Sequence, residues 1–214
     1  MKIVSLNLGK SENHLDYNGR EFNSCVRKRP SSETQKLEKL GFINDSIVDV
    51  GHGGEHMAVH VFSHDHYPFF NQQSGIEFPI PCFGENLTIS NLHEKQTNVG
   101  DIWKLGTAVV QVSQPTERCR TMGRLHHQPK LLKWIHMEMM TGFYIRVLEE
   151  GEVSHNSSIE ILEKGPDILN IDHLNQVLFK RPKVISELAE ICNHQVLSPR
   201  WKESAIMQFK KKLG

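Results

Sequence analysis

Ala108-Val109-Val110-Gln111-Val112-Ser113-Gln114-Pro115-Thr116-Glu117-Arg118-Cys119-Arg120 runs from a short valine-rich strand into a proline-ended bend and then to a cysteine set between two arginines. The valines suit a pleated, half-buried surface, and proline cannot continue a hydrogen-bonded ladder, so the strand stops at Pro115. Neighbouring guanidinium groups favour the thiolate, the form that attacks electrophiles or ligates a soft metal. Cys119 therefore stands apart from the other three cysteines, with Cys82 following Pro81 in a loop and Cys192 on a helix.

Outward from this stretch the same grain recurs. Ile3-Val4-Ser5-Leu6-Asn7-Leu8 and Tyr144-Ile145-Arg146-Val147-Leu148 are each about one strand long. Between such runs lie turn residues, among them Asn18-Gly19, Gly84, Gly106 and Glu150-Gly151, that accept left-handed backbone. Many short strands with frequent turns imply a mainly β domain, a barrel or sandwich, over residues 1–165. Two helical interruptions are expected, near His64–Phe70 and Lys130–Met140, the second ended by Thr141-Gly142. After a linker at Glu163-Lys164-Gly165-Pro166 the period changes. Residues 166–214 read as a small three-helix module near Ile171–Phe179, Lys183–Asn193 and Pro199–Lys211, with Pro182 and Pro199 in first turns and Ser198 as a cap. So short a bundle must lean on the barrel or on a second subunit, as in a homodimer.

Composition narrows the class. Lys plus Arg and Asp plus Glu are each 25 in 214 residues, so no net field draws in nucleic acid or anionic lipid. No apolar run approaches the roughly 20 residues of a membrane span, and the start lacks an apolar signal core, so a cytoplasmic protein without membrane or nucleic-acid partners is expected. The four cysteines form no CxxC pair, which argues against a zinc knuckle or a disulfide framework.

Two glycine sites have binding potential. Gly51-His52-Gly53-Gly54-Glu55 is too short for a phosphate-cradling P-loop; its N–H groups suit an anion nest, and equally an ordinary hairpin turn. Phe83-Gly84-Glu85-Asn86-Leu87 sets an acid and an amide before a strand, where Asn86 either orients a ligand or closes its own turn. His52, His56 and His60 recur every fourth residue, but the glycines among them argue against a metal-binding helix.

In order along the chain, HGG at His52–Gly54, AVHVF from Ala58, FGENLT at Phe83–Thr88, GDIW at Gly100–Trp103, VSQP at Val112–Pro115, Cys119 and TGFYIRVLEEG at Thr141–Gly151 resemble the MOSC domain, in particular its YiiM-type members. The tail from Ile171 resembles the three-helix module that follows the barrel in those proteins. The resemblance implies a MOSC-type β-barrel and a pyranopterin molybdenum cofactor. Cys119 becomes its metal ligand; Lys28, His52, Gly53, Gly54, Asn86, Gln114 and Arg118 become cofactor-binding residues, and His52 and Lys28 join Cys119 as catalytic groups. Binding of pyridoxal phosphate is an association of the domain as a class. The implied activity is reduction of N-hydroxylated small molecules, such as hydroxylaminopurines and amidoximes, with electrons from a separate reductase, since no GxGxxG fingerprint appears. A carrier of cofactor or sulfur working through a Cys119 persulfide is the alternative, and an inactive barrel serving as an interaction module is a third. Thr116 and Arg118 stand where YiiM-type proteins carry arginine and proline, and Asn44-Asp45 replaces their Gly-Asp.

If the arginines act on Cys119 as argued, it is the first of the four thiols to alkylate in the cofactor-free protein. Site-resolved alkylation rates against pH check this; faster labelling of Cys82 or Cys25 would remove the physical basis for choosing Cys119.

Overall fold

The valine-rich run becomes a strand held on both sides, and the sheet is built around it. In the computed structural model, which describes residues 1–47, 53–180 and 185–213, the strands are β1 (Lys2–Gly9), β2 (Glu12–Leu15), β3 (Glu21–Ser24), β4 (Lys28–Pro30), β5 (Gln35–Glu38), β6 (Gly41–Phe42), β7 (Val59–Ser63), β8 (Leu87–Ser90), β9 (Ile102–Leu105), β10 (Ala108–Pro115), β11 (Phe143–Glu149), β12 (Gly151–Val153) and β13 (Ile159–Glu163). Eight form one sheet in the order β13-β9-β10-β11-β7-β8-β1-β4; β12-β5-β6 and β2-β3 form smaller ones. The result is a mainly β half-barrel with short helices between strands and helices at its end.

Alternation decides what each strand buries. Along β11, Phe143, Ile145 and Val147 enter the core, while Tyr144 and Arg146 occupy the opposite face. In β10 the second face is covered too, and its polar side chains are matched: Ser113 Oγ donates to the carbonyls of His56 (2.5 Å) and Tyr144 (3.0 Å), and Gln111 Nε2 donates to Gly100 O (3.1 Å).

Strands β7 and β8 run parallel, a pairing that needs a long crossover. The segment between them supplies it, through a 3-10 turn at His64–His66 and α1 (Tyr67–Ser74). Helices α2 (Thr121–Leu125) and α3 (Leu131–Glu138) close over it, and together they bury a second core. There Phe62 stacks on Phe83 at 4.3 Å, with Phe70 at 4.8 Å from the same ring. The chain leaves α3 at Met139, which takes the left-handed conformation at φ 58°, so the helix stops before the expected Thr141-Gly142.

At the C-terminal end α4 (Ile171–Phe179), α5 (Ile185–Asn193) and α6 (Pro199–Leu213) follow; Lys183 and Pro182 lie outside the described residues. Asn170 caps α4 by accepting His173 N, and Ser198 Oγ accepts Trp201 N (3.2 Å) at the start of α6. Leu174, Leu178, Leu188, Ile191, Trp201 and Ala205 share one continuous core with Val110, Val112 and Trp103 of the barrel. The expected linker is a fastened junction: Asp101 takes Gly165 N (2.8 Å) and the Lys164 ammonium (2.9 Å), and Asn98 Nδ2 donates to Gly165 O (3.0 Å).

The helices thus cover barrel core, and truncation after Gly165 is expected to give an aggregating or partly unfolded product. Trp201→Ala in the full chain should cost about 3–5 kcal/mol, measured by denaturant unfolding. A truncated barrel as soluble and as stable as the whole chain would show that the shared core contributes nothing.

Candidate functional site

Where β10 leaves the sheet, the four residues that follow it form one wall of a cavity of about 230 Å³. Cys119 lies on this wall with Thr116 and Arg118. The facing walls come from the bend after β3, the loop after β6, the Phe83–Asn86 loop, and the cross-strand neighbours His60 and Tyr144. The four cysteines are all thiols, and only Cys25 and Cys119 line this cavity.

Arg118 fixes the wall. Its Nε donates to Thr141 O (2.7 Å) and Nη1 to Phe83 O (2.6 Å), and its guanidinium lies 5.0 Å from the centre of the Phe62 ring. One side chain therefore ties the Cys119 segment to the start of β11 and to the Phe83 loop. Two polar atoms here are buried with no hydrogen-bond partner among the described residues: Arg118 Nη2 and Thr116 Oγ1, the latter in a side chain 3% exposed. Buried donors are normally satisfied, so such a pair beside a thiol fits a ligand that brings oxygen acceptors.

Opposite stands a neutralised cation. Lys28 Nζ bonds both oxygens of Asp45 at 2.6 and 2.7 Å, with side chains 7% and 12% exposed. Asp45 also accepts Gly9 N (2.6 Å) and Asn86 Nδ2 (2.8 Å). Asn86 in turn donates to Asn7 O (3.2 Å) and accepts His60 N (3.1 Å). This network clamps β1, β4, β7 and β8 together at the rim. Lys28 and Asn86 are thus in the cavity wall as expected, but their polar atoms are engaged in holding it.

The remaining expectations divide. Gln114 is buried away from the cavity and accepts a hydrogen bond from Ser198 Oγ, so it anchors α6. Gly53 and Gly54 precede the 3-10 turn Glu55–Met57 and are not in the lining; His52 lies outside the described residues. His56 turns to Arg146 (3.1 Å), and burial and that charge lower its pKa. Among the described residues no group of three or more His, Cys, Asp or Glu side chains gathers as a metal site. Gly84, at φ 73°, is required where it stands: an added Cβ would sit 2.6 Å from Val26 Cγ2.

Sequence reasoning passed over Tyr144 and the role of Asp45. Burial raises the Tyr144 pKa, the Arg118 charge opposing, so the phenol stays protonated and is a donor. Its signal was available: a tyrosine on the non-core face of an alternating strand. Asp45 carried none, since its partners lie 17 and 41 residues away. Cys82 is a contrast to the cavity thiols, buried and pushed up in pKa by that burial and by Glu85.

The sequence model of the MOSC domain matches residues 49–160. The chain belongs to the MOSC domain family. Among MOSC relatives it is 34% identical to the uncharacterized protein YflK of Bacillus subtilis over 203 residues, 94% of this chain and 91% of that one. It is 28% identical over 176 residues to a protein named Reductase from Gibberella moniliformis, matching 80% of this chain but 31% of that longer protein. The crystal structure of YiiM from Geobacillus stearothermophilus superimposes with a TM-score of 0.82 at 29% identity, over 97% of this chain and 98% of that one. The MOSC span omits Cys25 and Lys28, which complete the cavity from the N-terminal side. Among the described residues no helix is long and apolar enough to cross a membrane.

Lys28→Met is expected to destabilise by about 3 kcal/mol, because it leaves the Asp45 carboxylate buried without its countercharge. Adding Asp45→Leu should recover most of that loss in a double-mutant cycle. A neutral single variant would show that the pair does not hold the wall.

Proposed function

We propose that the cavity binds a molybdenum-bearing pyranopterin through Cys119 and reduces N-hydroxylated small molecules. The observation that carries this reading is the thiol in a MOSC-domain cavity with two buried polar groups, Thr116 Oγ1 and Arg118 Nη2, that have no partner among the described residues. A thiolate is the soft donor that molybdenum accepts, and a rigid guanidinium with a hydroxyl suits oxygen atoms and phosphate. These residues fit the group. When bound, the cofactor supplies the two-electron redox chemistry.

The protein supplies placement, charge and a proton. Cys119 is the metal ligand; Arg118, pinned at two of its nitrogens, keeps the third for a ligand oxygen without reorganising. Lys28 contributes by shaping the wall through Asp45, with its positive charge balanced. Tyr144, a neutral phenol on the wall, is placed to donate a hydrogen bond or a proton to an oxygen departing from substrate nitrogen. Apolar Phe22, Leu40, Phe42 and Met57 line the remainder and suit a flat organic substrate. Electrons come from a separate reductase in the cytoplasm, in keeping with the absence of a dinucleotide fingerprint and with the much longer relative named Reductase.

Cys119→Ser is expected to abolish molybdenum retention and turnover of a hydroxylamino or amidoxime substrate without unfolding the chain, because a hydroxyl is a harder and far less acidic donor of similar size. Cys192→Ser, on α5, should leave both unchanged. Metal content and turnover at matched folded fraction decide; full occupancy in Cys119→Ser would overturn the ligand assignment.

A further inference from the structure

Two thiols reach one cavity from unlinked parts of the chain. Cys119 lies on irregular backbone between β10 and α2, and Cys25 on the bend between β3 and β4; both are partly exposed. Cys82 is buried in the aromatic core and Cys192 sits on α5, outside the lining.

Each thiol is carried on a short irregular link between fixed points. Beside Cys25, Val26 packs over Gly84 and its N–H bonds Ser24 Oγ (3.2 Å), and the Cys25 carbonyl lies against Gly9, where an added Cβ would be 2.2 Å from it. Before Cys119, Arg118 is held by two carbonyls, and Glu117 accepts a hydrogen bond from Ser204 of α6 (2.6 Å). A third group relates the two sulfurs: beyond burial and the opposing Arg118 charge, Cys119 and Cys25 both bear on the Tyr144 phenol and raise its pKa. Both thiols and Tyr144 line the same cavity.

We infer that Cys25 and Cys119 form an oxidisable thiol pair, in which hydrogen peroxide oxidises Cys119 and Cys25 resolves it to an intramolecular disulfide. In the first step the Cys119 thiolate attacks a peroxide oxygen and the O–O bond breaks. The departing hydroxide takes a proton to become water, and the sulfur, having lost two electrons, is a sulfenic acid. The Cys25 sulfur then attacks that sulfur. The S–O bond breaks, the oxygen leaves as a second water with the Cys25 proton, and the S–S bond forms. Two thiols and one peroxide thus give one disulfide and two waters. A disulfide needs its Cα atoms within about 7 Å, so closure draws on the Cys25 bend and on the irregular backbone that follows the pinned Arg118. The pair shields Cys119 from irreversible oxidation, and while it is closed Cys119 cannot ligate a metal. It stands independently of the cofactor reading, because it needs only the two thiols and peroxide.

The test uses the full chain produced without molybdate and treated with one equivalent of hydrogen peroxide. Cleavage after glutamate separates Phe22–Glu33 from Arg118–Glu138, so mass spectrometry without reductant reads the link directly. The expected product is a cross-linked pair of these peptides, with loss of two hydrogen masses from the monomeric protein. With peroxide in excess, Cys119 in Cys25→Ser should instead accumulate sulfinic acid several-fold faster than in the unaltered chain. Sulfinic acid forming on Cys119 at the same rate in both proteins with no 25–119 link, or a link from Cys119 to Cys82 or to a second chain, would overturn the inference.

Discussion

Beyond Pro115 the chain has left the ladder of β10, and the site depends on how the next four residues are held without it. Thr116 still reaches Gly142 O through its N–H (3.1 Å), but the burden falls on Arg118. Its two carbonyl bonds join three loops that are remote in sequence, and the aromatic core of Phe62, Phe70 and Phe83 supports the guanidinium from below. Because those bonds are made within a buried setting, where burial also pulls the Arg118 pKa down, the side chain is a fixed donor rather than a mobile surface charge. Cys119 inherits its place from this neighbour.

The two cations of the cavity have been given different work. Lys28 meets a carboxylate and so adds little net charge, while closing a network that runs through Asp45, Asn86 and the backbone of Asn7, Gly9 and His60. Arg118 meets carbonyls, with the buried Glu85 and Glu94 acting on its charge only from beyond hydrogen-bond contact, and one of its nitrogens has no hydrogen-bond partner among the described residues. The proposed oxygen- or phosphate-bearing ligand would therefore meet its cation on the Cys119 side. The tail contributes to the same end: Ser198 and Ser204 of the α6 region bond Gln114 and Glu117, so the helices brace the segment that carries the thiol as well as covering core.

How much of this was legible in the sequence follows from the range of each interaction. The strands showed themselves through local alternation, and α4 begins and ends where its period said, because burial there agrees with propensity and with the Asn170 cap. Cys119 was legible because its bend and its arginines are adjacent in the chain. What Arg118 does was not: two of its nitrogens bond residues 23 and 35 positions away. The bond of Gln114 was hidden for the same reason, since its partner Ser198 is 84 residues on. The anchoring at Gly165 was not legible, because glycine and proline mark a turn equally whether its N–H groups face water or, as here, a buried aspartate.

The central claim is that a thiol on a loop pinned by Arg118 holds molybdenum. Elemental analysis of the unaltered full chain purified from molybdenum-replete cells tests it most directly. The account predicts close to one molybdenum per chain, accompanied by a pterin; protein that is folded and intact yet free of both would contradict it.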